Sequence, residues 1–464
     1  MCDPTRRAVL AGGGAAFVSG LSGCIYSGGD PEEVEGLQLE FATKNVISRR
    51  SRHRFKPDQS VPTEIWGYDG DVPGDGVQVT QGARIRYKLI NKLDQPTTVH
   101  WHGIHNRNSM DGVAGLTQDP IPPGGFFRYD FLVRQAGTYW YHPHAKNTLG
   151  QLTRGMTAPL IIYENEQPDT DDDLTLTIND WALDADYQIA GLPGANPTAH
   201  LFHTVNGRRG YARASRHNER LRLRLINSCP AKILTIRSRG LDGYVVALDG
   251  MPLLRPRKFA GLRLTPAQRA DVIVDVTAPD GGEAQLTGAG EVLASFPVTG
   301  SASASRRPAP GPLPPNEVPD LDLAGARRVT LRMLGGRPGQ LAGARVRGQG
   351  QLDRDALRER GLSWSINGWA GMPEEPEVVA AKGETVRMTI VNANGAPHAM
   401  HLHGHHFREV RGGSLGPWRD TIYTAPNSRV EIAFNANNTG EWMFHCHMLP
   451  HLAQGMMSWV RVVG

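Results

Sequence analysis

Three stretches of the chain repeat one pattern of polar and apolar positions. The first is Gln78-Val79-Thr80-Gln81-Gly82-Ala83-Arg84-Ile85-Arg86-Tyr87-Lys88-Leu89-Ile90-Asn91. The second contains Leu221-Arg222-Leu223-Arg224-Leu225-Ile226-Asn227, and the third Gly383-Glu384-Thr385-Val386-Arg387-Met388-Thr389-Ile390-Val391-Asn392. Each alternates and then ends in an apolar pair and an asparagine. Alternation of period two predicts strands. The copies lie roughly 140 and 165 residues apart, too far for a solenoid, so the pattern predicts three domains of related fold. Long helical stripes are scarce, while Gly (54) and Pro (33) punctuate the chain at every scale. That combination predicts an all-β architecture of three Greek-key β-sandwiches. The expected boundaries are 37–165, 170–300 and 325–464. The stretch from Ser301 to Pro319, rich in Ser, Ala, Arg and Pro, marks the clearest linker, taken as 301–324.

The N-terminus does not fit the strand pattern. Thr5-Arg6-Arg7-Ala8-Val9-Leu10 resembles a twin-arginine export signal, and Ala8 to Gly23 is apolar but short and Gly-rich for a membrane span. Leu21-Ser22-Gly23-Cys24 resembles a bacterial lipobox, in which the cysteine is acylated. Residues 1–24 are therefore read as a signal and 25–36 as a short acidic tether. The expectation is an exported, periplasmic or cell-envelope protein. Its partners would include the twin-arginine export machinery, with membrane contact only through a lipid on Cys24. A net charge of +4 without a basic, aromatic-laced stripe argues against nucleic acid. Of four cysteines, Cys2 and Cys24 fall in the signal and Cys446 in a ligand-like motif. Cys229 is left without a partner, and no structural disulfide is expected.

The chemistry lies in the histidines. With 17 in 464 residues, random placement gives fewer than about one His-x-His, yet five occur. His100-Trp101-His102 and Tyr141-His142-Pro143-His144 fall in the first domain. His398-Ala399-Met400-His401-Leu402-His403-Gly404-His405 and His445-Cys446-His447 fall in the third. The middle domain has no equivalent, and its repeat strand leads into Thr235-Ile236-Arg237-Ser238, so it reads as a spacer or platform. Residues i and i+2 share a strand face. Four pairs thus give eight imidazoles that can converge if the first and third domains pack together, enough for about three copper ions. Cys446, with His445 and His447 on one side, points the other way. With His451, Met456 and a second histidine, for which His398 is the candidate, it makes the two-His, one-Cys, axial-Met set of a blue-copper site. Tetrahedral zinc sites would use the eight imidazoles in fours and leave Cys446, His451, Met456 and His398 without a role.

These motifs, HWHG, HPH, HxxHLHGH and HCHxxxHxxxGM, stand in the order found in multicopper oxidases, and the chain resembles that family over nearly its whole length past the signal. The resemblance implies cupredoxin-like domains and four copper ions. His398, Cys446, His451 and Met456 would hold a type 1 copper, and His100 and His401 a type 2 copper. His102, His142 and His447 would hold one type 3 copper, and His144, His403 and His445 the other. It implies one-electron oxidation of a small-molecule or metal-ion donor, with dioxygen reduced to water. Asp111 matches the family's acidic residue near the type 2 copper and is expected to relay protons; a turn Asp before Gly112 is the plainer alternative. Two departures stand out. Ala399 replaces the usual Pro. Leu452 occupies the place where several bacterial members carry a proton-delivering Glu, so another route is needed. His105, His405 and His406 are expected behind the ligands or at the surface, and His53, His200, His203 and His217 at the surface. The scattered methionines and the short Gly-rich loop from Arg411 to Trp418 favour a laccase-like range of phenolic and aromatic donors. The alternatives are a cuprous oxidase serving copper tolerance and, from another class, a non-enzymatic envelope scaffold.

Overall fold

The computed structural model describes residues 40–337 and 339–464. The signal, the proposed lipid site Cys24 and the tether lie outside them. Each of the three alternating stretches forms a strand inside a sheet, with a parallel neighbour on one side and an antiparallel one on the other. Arg84–Asn91 lies between Phe41–His53 and Phe126–Leu132. Arg220–Asn227 lies between Asp172–Leu183 and Arg269–Val276. Thr385–Asn392 lies between Arg327–Gly335 and Ser428–Asn435. A second sheet faces each of these, and every pair of sheets encloses its own apolar cluster. The result is three cupredoxin-like β-sandwiches.

The repeated asparagine explains why the three copies fold alike. Asn91 Nδ2 donates to the carbonyls of Gln95 and Ile121, both at 2.9 Å, and its Oδ1 accepts from Leu93 N. Asn227 does the same to Lys232, Leu264 and Cys229, and Asn392 to Ala396, Ala425 and Asn394. The side chain closes the turn after the strand and ties it to a distant segment, so buried backbone groups that lose a strand partner gain another.

The middle repeat strand departs from its pattern. Alternation suggests one wet face, yet all eight residues of Arg220–Asn227 are buried, with Arg222 and Arg224 at 0% exposure. Arg222 pairs with Glu164 at 2.7 Å and with Asp271 at 2.6 Å, and Arg224 pairs with Asp173 at 2.7 Å. A face that meets buried carboxylates, Glu164 at the first domain's end and Asp173 and Asp271 of the middle domain itself, reads in sequence like one that meets water. The linker is likewise pinned. Leu313 is buried against Val246, Ala247 and Ile273. Asn316 Nδ2 donates to Ala136 O at 2.7 Å while its Oδ1 accepts from Ala136 N at 2.9 Å.

Of the four histidines expected at the surface, only His200 is exposed. His53 Nε2 meets Gly207 O, His217 Nδ1 meets Ala278 O, and His203 is half-buried beside Glu291. All three sit on strands, where His53 and His217 each meet a backbone carbonyl and His203 lies 3.6 Å from the Glu291 carboxylate. The thiols of Cys229 and Cys446 are both free and buried.

Candidate metal centre

Two short strand pairs carry the histidines. In the first domain, His100–His102 pairs antiparallel with Gly137–His142, in register His100 to His142 and His102 to Trp140. In the third, His398–Leu402 pairs with Gly440–Cys446, in register His401 to His445 and Met400 to Cys446. Alternation then sorts the side chains. Trp101 and Tyr141 enter the first core, and Met400 and Cys446 enter the third, leaving the histidines on the opposite faces. Those faces meet. The rings of His102 and His401 stack at 3.7 Å, and those of His100 and His403 lie 3.8 Å apart.

All eight expected imidazoles of the cluster converge. His144, His403 and His445 present nitrogens within 4.8 Å of one another, as do His100, His401 and His403, and His100, His102 and His142. His447 Nε2 lies 3.2 Å from His142 Nε2. Their outward nitrogens are largely engaged. His100 Nδ1 donates to Asp111 O, His401 Nδ1 to Asp420 O, His142 Nδ1 to Pro143 O and His445 Nδ1 to Cys446 O, at 2.9–3.0 Å. His403 Nδ1 donates to Asp111 Oδ2 at 2.9 Å.

These contacts fix the tautomers, and with them the test for a metal. A neutral imidazole has one proton. His403 and His445 have spent theirs outward, so their Nε2 lone pairs face each other at 3.0 Å. His100 Nε2 and His401 Nε2 are buried with no partner of any kind. Burial first, and then the neighbouring imidazoles, hold His102, His142, His144, His401, His403 and His447 well below the ordinary histidine value. Those six rings are therefore neutral, and their inward lone pairs lack protons to satisfy them. A cation among them fits.

The second group lies on the far side of Cys446. Its Sγ is 3.5 Å from His451 Nδ1 and 3.7 Å from His398 Nδ1, and those two nitrogens are 3.0 Å apart. Met456 is fully buried in the same cluster and accepts Cys446 N on its carbonyl. Burial pushes the Cys446 thiol up to about 12, and burial and His451 push His398 down to about 3. Thiolate, two imidazoles and a thioether suit copper better than a hard cation.

Asp111 is 1% exposed and bridges two domains, with Oδ2 on His403 and Oδ1 3.2 Å from His100 Nδ1. His405 and His406 are buried, with His405 Nδ1 3.1 Å from His403 O, and His105 is half-buried, 3.2 Å from Asn437. Three residues that sequence reasoning missed also belong here. Asn394 Oδ1 accepts from His398 Nε2 at 3.0 Å. The Trp364 ring packs 4.5 Å from that of His451. Asp420 Oδ1 lies 3.2 Å from His102 Nε2. A charge directly before the strand Thr421–Thr424, in Arg419-Asp420-Thr421, was the one available signal for Asp420.

Comparison with known proteins identifies the family. Three family models, each described as multicopper oxidase, match residues 50–167, 172–282 and 348–463, well over half the chain. A multicopper oxidase, MmcO, of Mycobacterium tuberculosis is 28% identical over 438 residues, covering 84% of this chain and 82% of its own. The crystal structure of a multi-copper oxidase from Pseudomonas thermotolerans superposes with a TM-score of 0.78 at 28% identity, over 92% of this chain and all of the other. Lac15, from a marine microbial metagenome, gives 0.73 at 32% identity, over 90% and 99%. The chain belongs to the multicopper oxidase family of copper-dependent oxidoreductases.

Proposed function

We propose that this chain oxidises phenolic or aromatic donors one electron at a time and reduces dioxygen to water. The observation that carries the reading is the double set of inward lone pairs on either side of Cys446. His398, Cys446, His451 and Met456 would hold the type 1 copper, and His100 and His401 the type 2. His102, His142 and His447 would hold one type 3 copper, and His144, His403 and His445 the other. When bound, copper supplies the one-electron steps and the four-electron reduction. The chain supplies the connection: His445 and His447 flank Cys446 in sequence, so both sites share one stretch of backbone. It also supplies protons. Asp111 is the buried carboxylate between His100 and His403, placed to hold a proton near the cluster. Leu452 sits in an apolar knot with Val113, Trp140, Leu152 and Leu449 and offers no proton path. Asp111→Asn should slow dioxygen reduction and leave reduction of the type 1 copper intact; equal loss of both steps would sink the role.

A second reading has its own support. A cleft of about 340 Å³ beside the Leu449–Ala453 helix is lined by Met372, Met443 and Met457 and reaches His144. Thioethers suit cuprous ion, so a cuprous oxidase is the alternative. The short hairpin of Phe407–Arg411 and Ser414–Arg419, in place of a methionine-rich insertion, favours the phenolic reading. Dioxygen uptake by copper-loaded protein, with a dimethoxyphenol and cuprous ion offered separately, decides. Faster uptake with cuprous ion overturns the phenolic reading. Export through the signal and acylation of Cys24 belong to the same proposal; mass spectrometry of envelope protein with an unmodified Cys24 would refute the anchor.

A further inference from the structure

His102 is held unlike its counterpart. His403 donates Nδ1–H to Asp111 and turns Nε2 inward. In His102 it is Nε2 that faces the carboxylate of Asp420, at 3.2 Å, while Nδ1 is buried without a partner. An ionised carboxylate only accepts, so the proton sits on Nε2 and the lone pair on Nδ1. The two aspartates otherwise form one device used twice. Asp111 O holds His100 and its carboxylate reaches His403; Asp420 O holds His401 and its carboxylate reaches His102. Each aspartate thereby ties a histidine of its own domain to one of the other.

Asp420 has a feature of its own. Arg269, from the middle domain, grips both carboxylate oxygens, Nη1 to Oδ1 at 3.0 Å and Nη2 to Oδ2 at 2.6 Å. Its Nε donates to Thr138 O of the first domain at 3.1 Å, and Nη1 to Ala267 O. Thr421 Oγ1 donates to Asp420 Oδ1 at 2.8 Å. Both charged groups are at 0% exposure. The pair occupies the space left by Gly103, the glycine of HWHG. A Cβ there would lie 2.5 Å from both Arg269 Nη2 and Asp420 Oδ2, on a backbone with φ of +86°. One guanidinium thus joins all three domains directly behind His102.

We infer that the Arg269–Asp420 pair is a positioning pair that fixes His102 as the Nε2–H tautomer and so aims Nδ1 into the cluster. On this view the middle domain contributes no ligand but orients one. A bidentate pair suits the task because it fixes the plane of the carboxylate as well as its charge. Buried ion pairs often add little net stability over apolar residues of similar volume, whereas partners behind a ligand commonly change metal affinity 10–100-fold.

The inference rests on His102 being a copper ligand, and the test separates the two. The double variant Arg269→Met/Asp420→Leu removes the pair without stranding a charge. Copper per chain, type 1 colour, the near-ultraviolet band of the coupled type 3 pair and the type 2 EPR signal are compared with the parent. The expected result is an unchanged type 1 colour, a lost coupled-pair band and cluster affinity lower by about 10–100-fold. In metal-free protein, nitrogen-15 histidine spectra should show His102 as Nε2–H in the parent and not in the variant. Arg269→Gln/Asp420→Asn keeps an oxygen opposite His102 and should recover the band. An unchanged band in the first variant, no recovery in the second, or loss of type 1 colour together with the coupled band would each overturn the positioning role. A parent that lacks the coupled band when loaded would instead overturn the cluster assignment itself.

Discussion

Asn91, Asn227 and Asn392 do the same work in three places, and their side chains can be tested where no copper complicates the readout. Asn227→Ala strands the carbonyls of Lys232 and Leu264 and the amide of Cys229 in a buried turn. The expected cost is at least about 3 kcal/mol from the middle domain, since each of the three stranded groups carries about 1–3 kcal/mol. Calorimetry should show this domain melting earlier, with copper content unchanged; a loss below about 1 kcal/mol would mean that the turn closes without the asparagine. At this scale the sequence was legible where a residue repeats or stands in a motif. The asparagine was visible as a repeat and Asp111 as a match to the acidic residue of the resembled family. The jobs were not visible. Asp420 is 318 residues from the histidine it holds and 151 from the arginine that clamps it. No local pattern marks a pair that exists only once three domains close.

Strands transmit more than single residues do, because alternation converts spacing into direction. His-x-His at the ends of short strands was enough to place imidazoles on one face and Cys446 on the other. The same rule does not say what a polar face meets: at Arg220–Asn227 it is buried against Glu164, Asp173 and Asp271. That network has a pH signature. Burial raises the Asp271 carboxyl, but Arg222, Arg224 and Thr138 outweigh it and hold it below the ordinary carboxylate value. A carboxylate lowered in the folded state adds stability that is complete above its unfolded pKa, about 3.9. That stability drains as pH falls through the folded value. Melting temperature should therefore fall below about pH 4, and Asp271→Asn should flatten that acid limb. The substitution should also cost about 3–5 kcal/mol near neutrality, because Arg222 and Arg224 lose a buried partner. An acid limb as steep in the variant as in the parent would show that Asp271 is not among the groups responsible.

The whole molecule closes around the seam between the first and third domains. Protein contacts hold that seam in part: Asn108 Nδ2 donates to Glu441 O at 2.6 Å, and Asn438 Nδ2 to Asn106 O at 2.9 Å. An apolar knot of Val113, Trp140, Met443, Leu449 and Leu452, joined by Ile226 and Ala267 from the middle domain, adds burial. Between these lie eight imidazoles, four from each side. Lone pairs that face each other at 3.0 Å repel unless a cation lies among them. The seam is thus incomplete without metal, so copper bound there should act as a clamp between domains, whereas copper at His398, Cys446 and His451 would lie within the third sandwich alone. Binding to the folded state alone adds about 2.7 kcal/mol for one site at 100 times its dissociation constant, and the cluster offers several ligand-rich sites. Removing copper should lower the melting temperature. It should also raise amide exchange in His100–His102 and His398–Leu402 while leaving the middle-domain strand Arg269–Val276 protected. Uniform exchange increases across all three sandwiches would mean that copper stabilises the domains individually. Protection unchanged at the seam would mean that the protein contacts alone close it.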